Sequence, residues 1–492
     1  MPPFEGRNIL VFSDGTGQAG GLQLDEFRTN VYKLYRATRC GPDCDIDPSK
    51  QLAIYDPGLG SKLAGENIRL SFLRRFYNKL SSATGLGLTG NIIDCYAALL
   101  KYWRPGDRIF LFGFSRGAYT VRCLGGVLGL CGLPTTENGK AISRDEATLR
   151  RIAAEAVKRV YSHGTGSGDA GRSAVGQAYH EMLKAQREAL GRQFRAKFSS
   201  QGPLGPNVVP HFIGVWDTVA AVGLTPPAAR ILAGLAVALF VLTSFMLAWS
   251  GAPFGHREFW ISFGAILGLI GCAGLSFYYL LRLRWVTGLS GYKWYETLHL
   301  TSLKMTFFDR SLNPNVRYAR HAIAIDENRA EFDRVPWRNE GDPADRELAE
   351  GAWFRQLWFA GNHSDIGGSY PENESRLSDI ALDWMAREAV KAGLLIDRRY
   401  LNLFGHHSGV QHDECRNGIR LWGYRFKWRE KHRNPIAGAT LHPSVISRFK
   451  ETAVSIYGED RLYRPAALMA HSDLQDFYRP GAGDRSSKAA AE

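Results

Sequence analysis

Between the apolar run Arg108-Ile-Phe-Leu-Phe112 and the helix-compatible stretch Ala118-Tyr-Thr-Val-Arg-Cys-Leu124 lie five residues, Gly113-Phe-Ser-Arg-Gly117. A short apolar run bounded by turn residues reads as a buried strand. A serine flanked by glycines, directly after such a strand and directly before a helix, marks a sharp turn that lifts its hydroxyl clear of a sheet. The glycines are needed because the turn packs tightly and leaves little room beyond hydrogen. A chain holding this element is committed to strands feeding helices.

The rest of the sequence has the same grammar. Asn8-Ile-Leu-Val-Phe12 runs into Ser13-Asp-Gly-Thr-Gly17, and Gln51-Leu-Ala-Ile-Tyr55 runs into Asp56-Pro-Gly58. Val208–Val215 ends at Trp216-Asp217-Thr218. His321–Ile325 is a further strand candidate, and Leu357–Ala360 leads into Gly361-Asn-His-Ser-Asp-Ile-Gly-Gly368. Helical spacing runs through Asn91–Trp103 (Ile92, Ile93, Tyr96, Leu99, Leu100), stops at Pro105-Gly106, and returns over Leu377–Val390. Ser143–Lys197 is charged and helical, an excursion from the sheet. A late helix is expected over Thr440–Arg448, and the small, polar residues 481–492 are expected to be disordered. Strand, helix, strand at this spacing predicts an α/β fold: a mostly parallel sheet flanked by helices, with right-handed crossovers.

Two stretches break the pattern. Ile231–Trp249 is 19 residues without a charge, and Phe259–Leu281 is 23, joined by the link Ser250–Glu258. About 20 apolar residues span a hydrocarbon core of ~30 Å, so the pair reads as an inserted two-helix transmembrane hairpin. Gly234/Ala238 and Gly264/Gly268 have the four-residue spacing of small residues that lets membrane helices approach. Arg230 precedes the hairpin and Arg282 and Arg284 follow it, while the link offers Arg257 against Glu258. Excess positive charge outside the hairpin places both large portions on the cytoplasmic side of an inner membrane. A buried helix pair or an apolar lid is the alternative. The expected domains are 1–227, 228–285 (the hairpin), 286–480 and the tail 481–492.

The chemistry starts from Ser115. A serine hydroxyl is a weak nucleophile until a histidine takes its proton, and that histidine needs a carboxylate to fix its tautomer. Asp217 and His363 both stand at the C-terminal ends of strand candidates, where open α/β sheets place their sites. The order Ser115, Asp217, His363 is one such sites use. Asp365 is a second candidate acid, Asp217 has the alternative of capping a helix, and His406 and His407 are further loop histidines. Backbone N–H groups of Arg116 and of Gly15 or Thr16 are the candidates for an oxyanion hole.

No cofactor or metal is expected. The glycine-rich pieces lack nucleotide-loop spacing. Asp14, Asp217 and Asp365 are far apart in sequence, and Cys40 and Cys44 lack a second ligand pair. Seven cysteines in 492 residues exclude a disulfide scaffold. The N-terminus has neither the basic nor the apolar region of a secretory signal, so none is expected. The net charge of +13 favours anionic partners such as a membrane surface. Arg150, Arg151, Lys158 and Arg159 read as a solvated helix face, so no nucleic acid is expected.

Seven blocks, in order, match a known family: Phe12-Ser-Asp-Gly-Thr16, Tyr55-Asp-Pro-Gly58, Gly87-Leu-Thr-Gly-Asn-Ile92, Gly113–Tyr119, Gly214-Val-Trp-Asp-Thr-Val219, His321–Glu327 and Trp358–Gly368. The chain resembles the α/β-hydrolase family whose best-known members are phospholipase effectors of bacterial type VI secretion, in the first of their lipase classes. The resemblance covers about residues 8–390. It implies a serine esterase acting on phospholipid acyl esters, with Ser115, Asp217 and His363 as its triad. The apolar hairpin is a departure from the core pattern, and no delivery domain is apparent. The expectation is a membrane-associated phospholipase A-like enzyme. An esterase or thioesterase on another acyl substrate, and a non-catalytic membrane scaffold, are the alternatives.

Overall fold

The computed structural model describes residues 6–15, 27–57, 87–165, 174–203, 205–219, 256–301, 312–337, 351–417, 424–433 and 437–479, with shorter pieces at 234–249, 307, 347–348 and 419–421. Six strands form one sheet: β1 (Asn8–Ser13), β2 (Gln51–Asp56), β3 (Arg108–Phe114), β4 (Phe212–Trp216), β5 (Tyr318–Ala324) and β6 (Phe354–Phe359). Their order is β2-β1-β3-β4-β5-β6, and every neighbouring pair is parallel. All the strand candidates are in it. Parallel strands are covered on both faces, which is why β1, β4 and β5 are buried throughout.

The strand order reverses between β1 and β3, and such a switch point opens a crevice beyond the strands' C-terminal ends. The register brings those ends level. Ser13 stands opposite Gly113, Gly113 opposite Val215, and Ala324 opposite Phe359.

The flanking helices are α1 (Asn30–Thr38), α2 (Leu88–Tyr102), α3 (Arg116–Cys131), α4 (Glu146–Ala154), α5 (Ala174–Phe198), α6 (His256–Arg282), α7 (His363–Gly367), α8 (Arg376–Lys391) and α9 (Pro443–Lys450). The main core joins sheet residues Phe12, Phe112, Phe212 and Phe359 to Leu34 of α1 and Leu382 and Met385 of α8. Phe12 and Phe112 stack at 5.0 Å between ring centroids. Gly214 lets α8 approach, since a Cβ there would stand 2.6 Å from Met385 Sδ. A second core joins Ile323, Ile325 and Trp358 to Val445, Phe449 and Tyr463.

The late helix begins at Pro443, three residues after the expected start at Thr440. Trp358 donates its N–H to Thr440 O (3.0 Å) and accepts the His442 N–H (2.9 Å), so this segment extends the sheet edge first. Proline at the first helical position and a side-chain cap from His442 then start the helix. The expected disordered tail, 481–492, lies outside the described residues.

The chain divides into two compact units, one of residues 1–161, 191–221 and 309–492, the other of 162–190 and 222–308. The first holds the sheet. In the second, α6 contains Phe263–Leu280, the one described helix long and apolar enough to cross a membrane, with a mean hydropathy of 1.7 and none of it buried. Residues 240–246 are helical, and most of the remainder of 231–249 lies outside the described residues. These two segments touch. Phe245 meets Phe263 edge-on at 6.1 Å, and Gly271 faces the Phe240 ring. Gly264 and Gly268, expected at a close approach, face open space.

Candidate active site

Ser115 sits between β3 and α3 with φ 58° and ψ −121°, a conformation side-chain-bearing residues avoid. The surrounding glycines explain how it is held. A Cβ on Gly113 would stand 2.5 Å from Gly117 O, and one on Gly117 would collide with Ser13 O at the end of β1. Ser115 donates its backbone N–H to Trp216 O on β4 (3.2 Å). The elbow is thus clamped between both neighbouring strands.

Arg116 opens α3, where helix N–H groups point outward. Burial pushes its guanidinium down to about 10. Gly15 lies against the elbow, and a Cβ there would be 3.6 Å from Ser115 Cβ. Thr16 lies outside the described residues. The turn after β1 is fixed by buried Asp14. Its carboxylate accepts from Gly15 N–H, Thr29 Oγ1–H and Tyr55 Oη–H, each at 2.6 Å, so the Gly15 N–H, expected at an oxyanion hole, is committed to Asp14 instead.

Asp217 directly follows β4, and its carboxylate is fully buried. Its Oδ2 lies 2.6 Å from His363 Nδ1. Its Oδ1 accepts the Ala324 N–H at 3.1 Å. Arg433 grips both oxygens, Nη1 to Oδ1 at 2.7 Å and Nη2 to Oδ2 at 2.9 Å. Burial alone would raise this acid, but the charge of Arg433 and the His363 hydrogen bond hold it far below the usual carboxylate range.

His363 is the first residue of α7. Asn362 caps that helix by accepting the Ser364 and Asp365 N–H groups, each at 2.9 Å. Asp365 returns the favour to the Asn362 N–H at 3.0 Å, completing a capping box. The His363 N–H goes to Glu327 Oε2 (3.1 Å), and Glu327 is itself paired with Arg329 (2.7 Å). The imidazole lies 4.6 Å from the ring of Phe114, the residue before Ser115, and 5.2 Å from Phe332. With Nδ1 on Asp217, Nε2 is the nitrogen left for a proton in transit. Ser115 Oγ makes no hydrogen bond among the described residues, and side-chain bonds of this kind tighten when substrate binds.

The open alternatives separate here. Asp365 pairs with His412 (2.7 Å) and not with His363. His406 bonds Ser408 and His407 bonds Glu451. Asp14 is spent on Thr29 and Tyr55, so Asp14, Asp217 and Asp365 do not converge. No cluster of three metal-ligating side chains occurs among the described residues. Two residues beside the site were not singled out from the sequence. Glu327 ends one of the seven matching blocks, a usable signal. Arg433 sits in a polar stretch with no local signal at all.

A family model for the type VI secretion phospholipase effector Tle1-like catalytic domain matches residues 7–244 and 284–388. An uncharacterized protein of Saccharomyces cerevisiae is 39% identical over 133 residues, which is 26% of this chain and 18% of the yeast protein. The chain therefore matches under a fifth of that relative's length. A crystal structure of an uncharacterized protein from Pseudomonas aeruginosa aligns over 81% of this chain and 48% of its own, with 17% identity and a TM-score of 0.33. The structure of the Tle1 effector bound to the VgrG spike of the type 6 secretion system aligns over 82% and 77%, with 13% identity and a TM-score of 0.33. Structural likeness at that level carries no argument about function. The family match does carry one, because it spans both segments of the sheet from β1 to α8: the chain belongs to the family of type VI secretion Tle1-like phospholipase effector catalytic domains.

Proposed function

We propose that the chain is a membrane-associated serine hydrolase that cleaves acyl esters of phospholipids. The observation that carries this reading is the 2.6 Å contact of His363 Nδ1 with Asp217, made by an imidazole lying against the Ser115 elbow. Ser115 Oγ attacks the acyl carbonyl as His363 Nε2 takes its proton. The imidazolium is stabilised by Asp217, which stays ionised throughout. His363 returns the proton to the departing lysolipid alcohol. It then activates a water that releases the fatty acid from the acyl-enzyme. The N–H of Arg116 and that of Thr16 receive the developing oxyanion, the Gly15 N–H being held by Asp14.

The membrane part of the proposal rests on α6. Its 27 residues reach about 40 Å at 1.5 Å each, enough for a ~30 Å core. Leu269, Leu280 and Ile261 are all more than 60% exposed, so the helix lacks the burial a soluble core helix would have. With residues 231–249 it forms the hairpin 228–285, between hydrolase portions 1–227 and 286–480 on the cytoplasmic face. The net charge of +13 adds attraction to anionic lipid.

The test is a fluorophosphonate probe on purified wild-type and Ser115→Ala protein, with mass spectrometry of an incubated phospholipid mixture. Labelling at Ser115 with release of fatty acid and lysolipid is expected, and Ser115→Ala is expected to lose both while remaining folded. Labelling without lipid cleavage would move the substrate to another acyl ester or thioester. No labelling of folded wild-type protein would leave a non-catalytic scaffold.

A further inference from the structure

Beside the carboxylate of Asp217 the sheet edge holds a second feature. Val335 donates its N–H to Thr218 O at 3.1 Å, and Arg334 bridges Val219 in antiparallel fashion. Arg334 is thereby fixed next to the segment that carries Asp217. Its guanidinium lies 5.1 Å from the ring centre of Trp358. It has no carboxylate or other hydrogen-bond acceptor among the described residues. Burial, and after it the nearby charge of Arg433, hold Arg334 below its ordinary value, while the charges of Asp217 and Asp333 act in the opposite sense.

This guanidinium lines a cavity of about 400 Å³ walled by Trp337, Phe354, Gln356 and Trp358. The orientation of Gln356 follows from its neighbour. The Thr218 N–H points at His321 Nε2 (3.4 Å), which makes Nε2 the acceptor. The proton of His321 then sits on Nδ1 and is donated to Gln356 Oε1 at 3.2 Å. Complete burial keeps this imidazole neutral, well below its usual range. With Oε1 taken, the Gln356 NH2 is the group left for the cavity. The lining therefore offers the guanidinium of Arg334, that of Arg355, which lies 3.7 Å from Glu388, an amide donor and aromatic faces, and no carboxylate. A ligand that satisfies it must bring acceptor oxygens and negative charge.

We infer that this cavity is a phosphate seat, in which Arg334 and Gln356 hold the oxygens and the tryptophans cover the attached organic group. The choice of phosphate among oxyanions rests on the phospholipase reading. The seat itself rests on the donors and the cavity. Two sources share this chemistry: the head-group phosphate of a lipid whose ester lies at Ser115, and free phosphate.

Isothermal titration of full-length Ser115→Ala protein with sn-glycerol 3-phosphate and with inorganic phosphate tests it, because binding is then read without turnover. Saturable binding is expected, weakened at least about tenfold by adding Arg334→Gln and weakened as well by Gln356→Met. Gln356→Met is read separately should Arg334→Gln fail to fold. Absence of saturable binding, binding unchanged in both variants, or acetate binding as tightly as phosphate at equal ionic strength would each overturn the seat. Wild-type turnover then separates the sources. Inhibition of phospholipid cleavage by phosphate, with an uncharged short-chain ester unaffected, assigns the head group. Inhibition of both assigns free phosphate. Should wild-type protein cleave no ester, the phospholipase reading fails while the binding result still stands or falls alone.

Discussion

Asp217 shares its two oxygens between an imidazole and a guanidinium, and this sets how the molecule responds to acid. Its folded value is depressed, so the stability it contributes is present above the ordinary carboxylate range, near pH 4, and is lost only as pH falls toward the folded value. Arg433→Gln removes the larger of the lowering influences and leaves a buried carboxylate short of donors. A cost of about 3–5 kcal/mol is expected, with the acid-induced fall in Tm moved to higher pH. Thermal melts of both proteins from pH 3 to 8 would show it; superimposable curves would remove Arg433 from this role. Asp56 behaves in the opposite sense. Burial pushes it up to about 7, although Ser13 Oγ–H donates to it at 2.8 Å. Folding takes up a proton here between about pH 4 and about pH 7, so stability falls as pH rises through that window. Asp56→Asn is expected to flatten that slope, gaining roughly 2–4 kcal/mol at pH 8, as read by denaturant titration at pH 5 and pH 8. The placement of Ser115, Asp217 and His363 in one candidate site was legible because each stands just past the C-terminal end of an apolar strand, and that position needs no tertiary knowledge. Arg433 was not, since its partner lies 216 residues away and nothing nearby in sequence marks it.

At the scale of elements, the elbow and α7 do the positioning. Gly117→Ala would drive a methyl into Ser13 O. A loss of more than about 3 kcal/mol, or failure to fold, is expected; a normal Tm with full activity would contradict the packing described. Asn362→Ala is gentler. It removes the cap of a five-residue helix whose first residue is His363, at about 1 kcal/mol. Ester turnover is expected to fall several-fold more than that small stability loss explains, which kcat and Tm measured together would separate. The strands and the two helices flanking the elbow could be read from periodicity alone. The start of α9 could not, because residues 440–442 have helical spacing yet pair with an open sheet edge, and edge pairing outweighs local propensity.

For the molecule as a whole, the exposed apolar surface of α6 governs partitioning. Flotation with phosphatidylglycerol-containing vesicles in 0.5 M NaCl is expected to carry wild-type protein upward, since salt at that level screens surface charge. The double variant Leu269→Glu/Leu275→Glu is expected to float several-fold less. Wild-type protein that stays at the bottom, detergent-free and monodisperse, would end the membrane reading.

The contacts that complete the site are very long in sequence. His363 meets Asp217 across 146 residues and Arg433 meets it across 216. A ribosome finishes Ser115 and both apolar segments well before it makes either partner. Throughout that interval the nascent chain carries a serine with no base, next to a growing stretch that seeks lipid. On the reading proposed here, chain order acts as a timer: the cell making this protein is shielded from its chemistry until the segments carrying His363 and Arg433 have been made and have folded back.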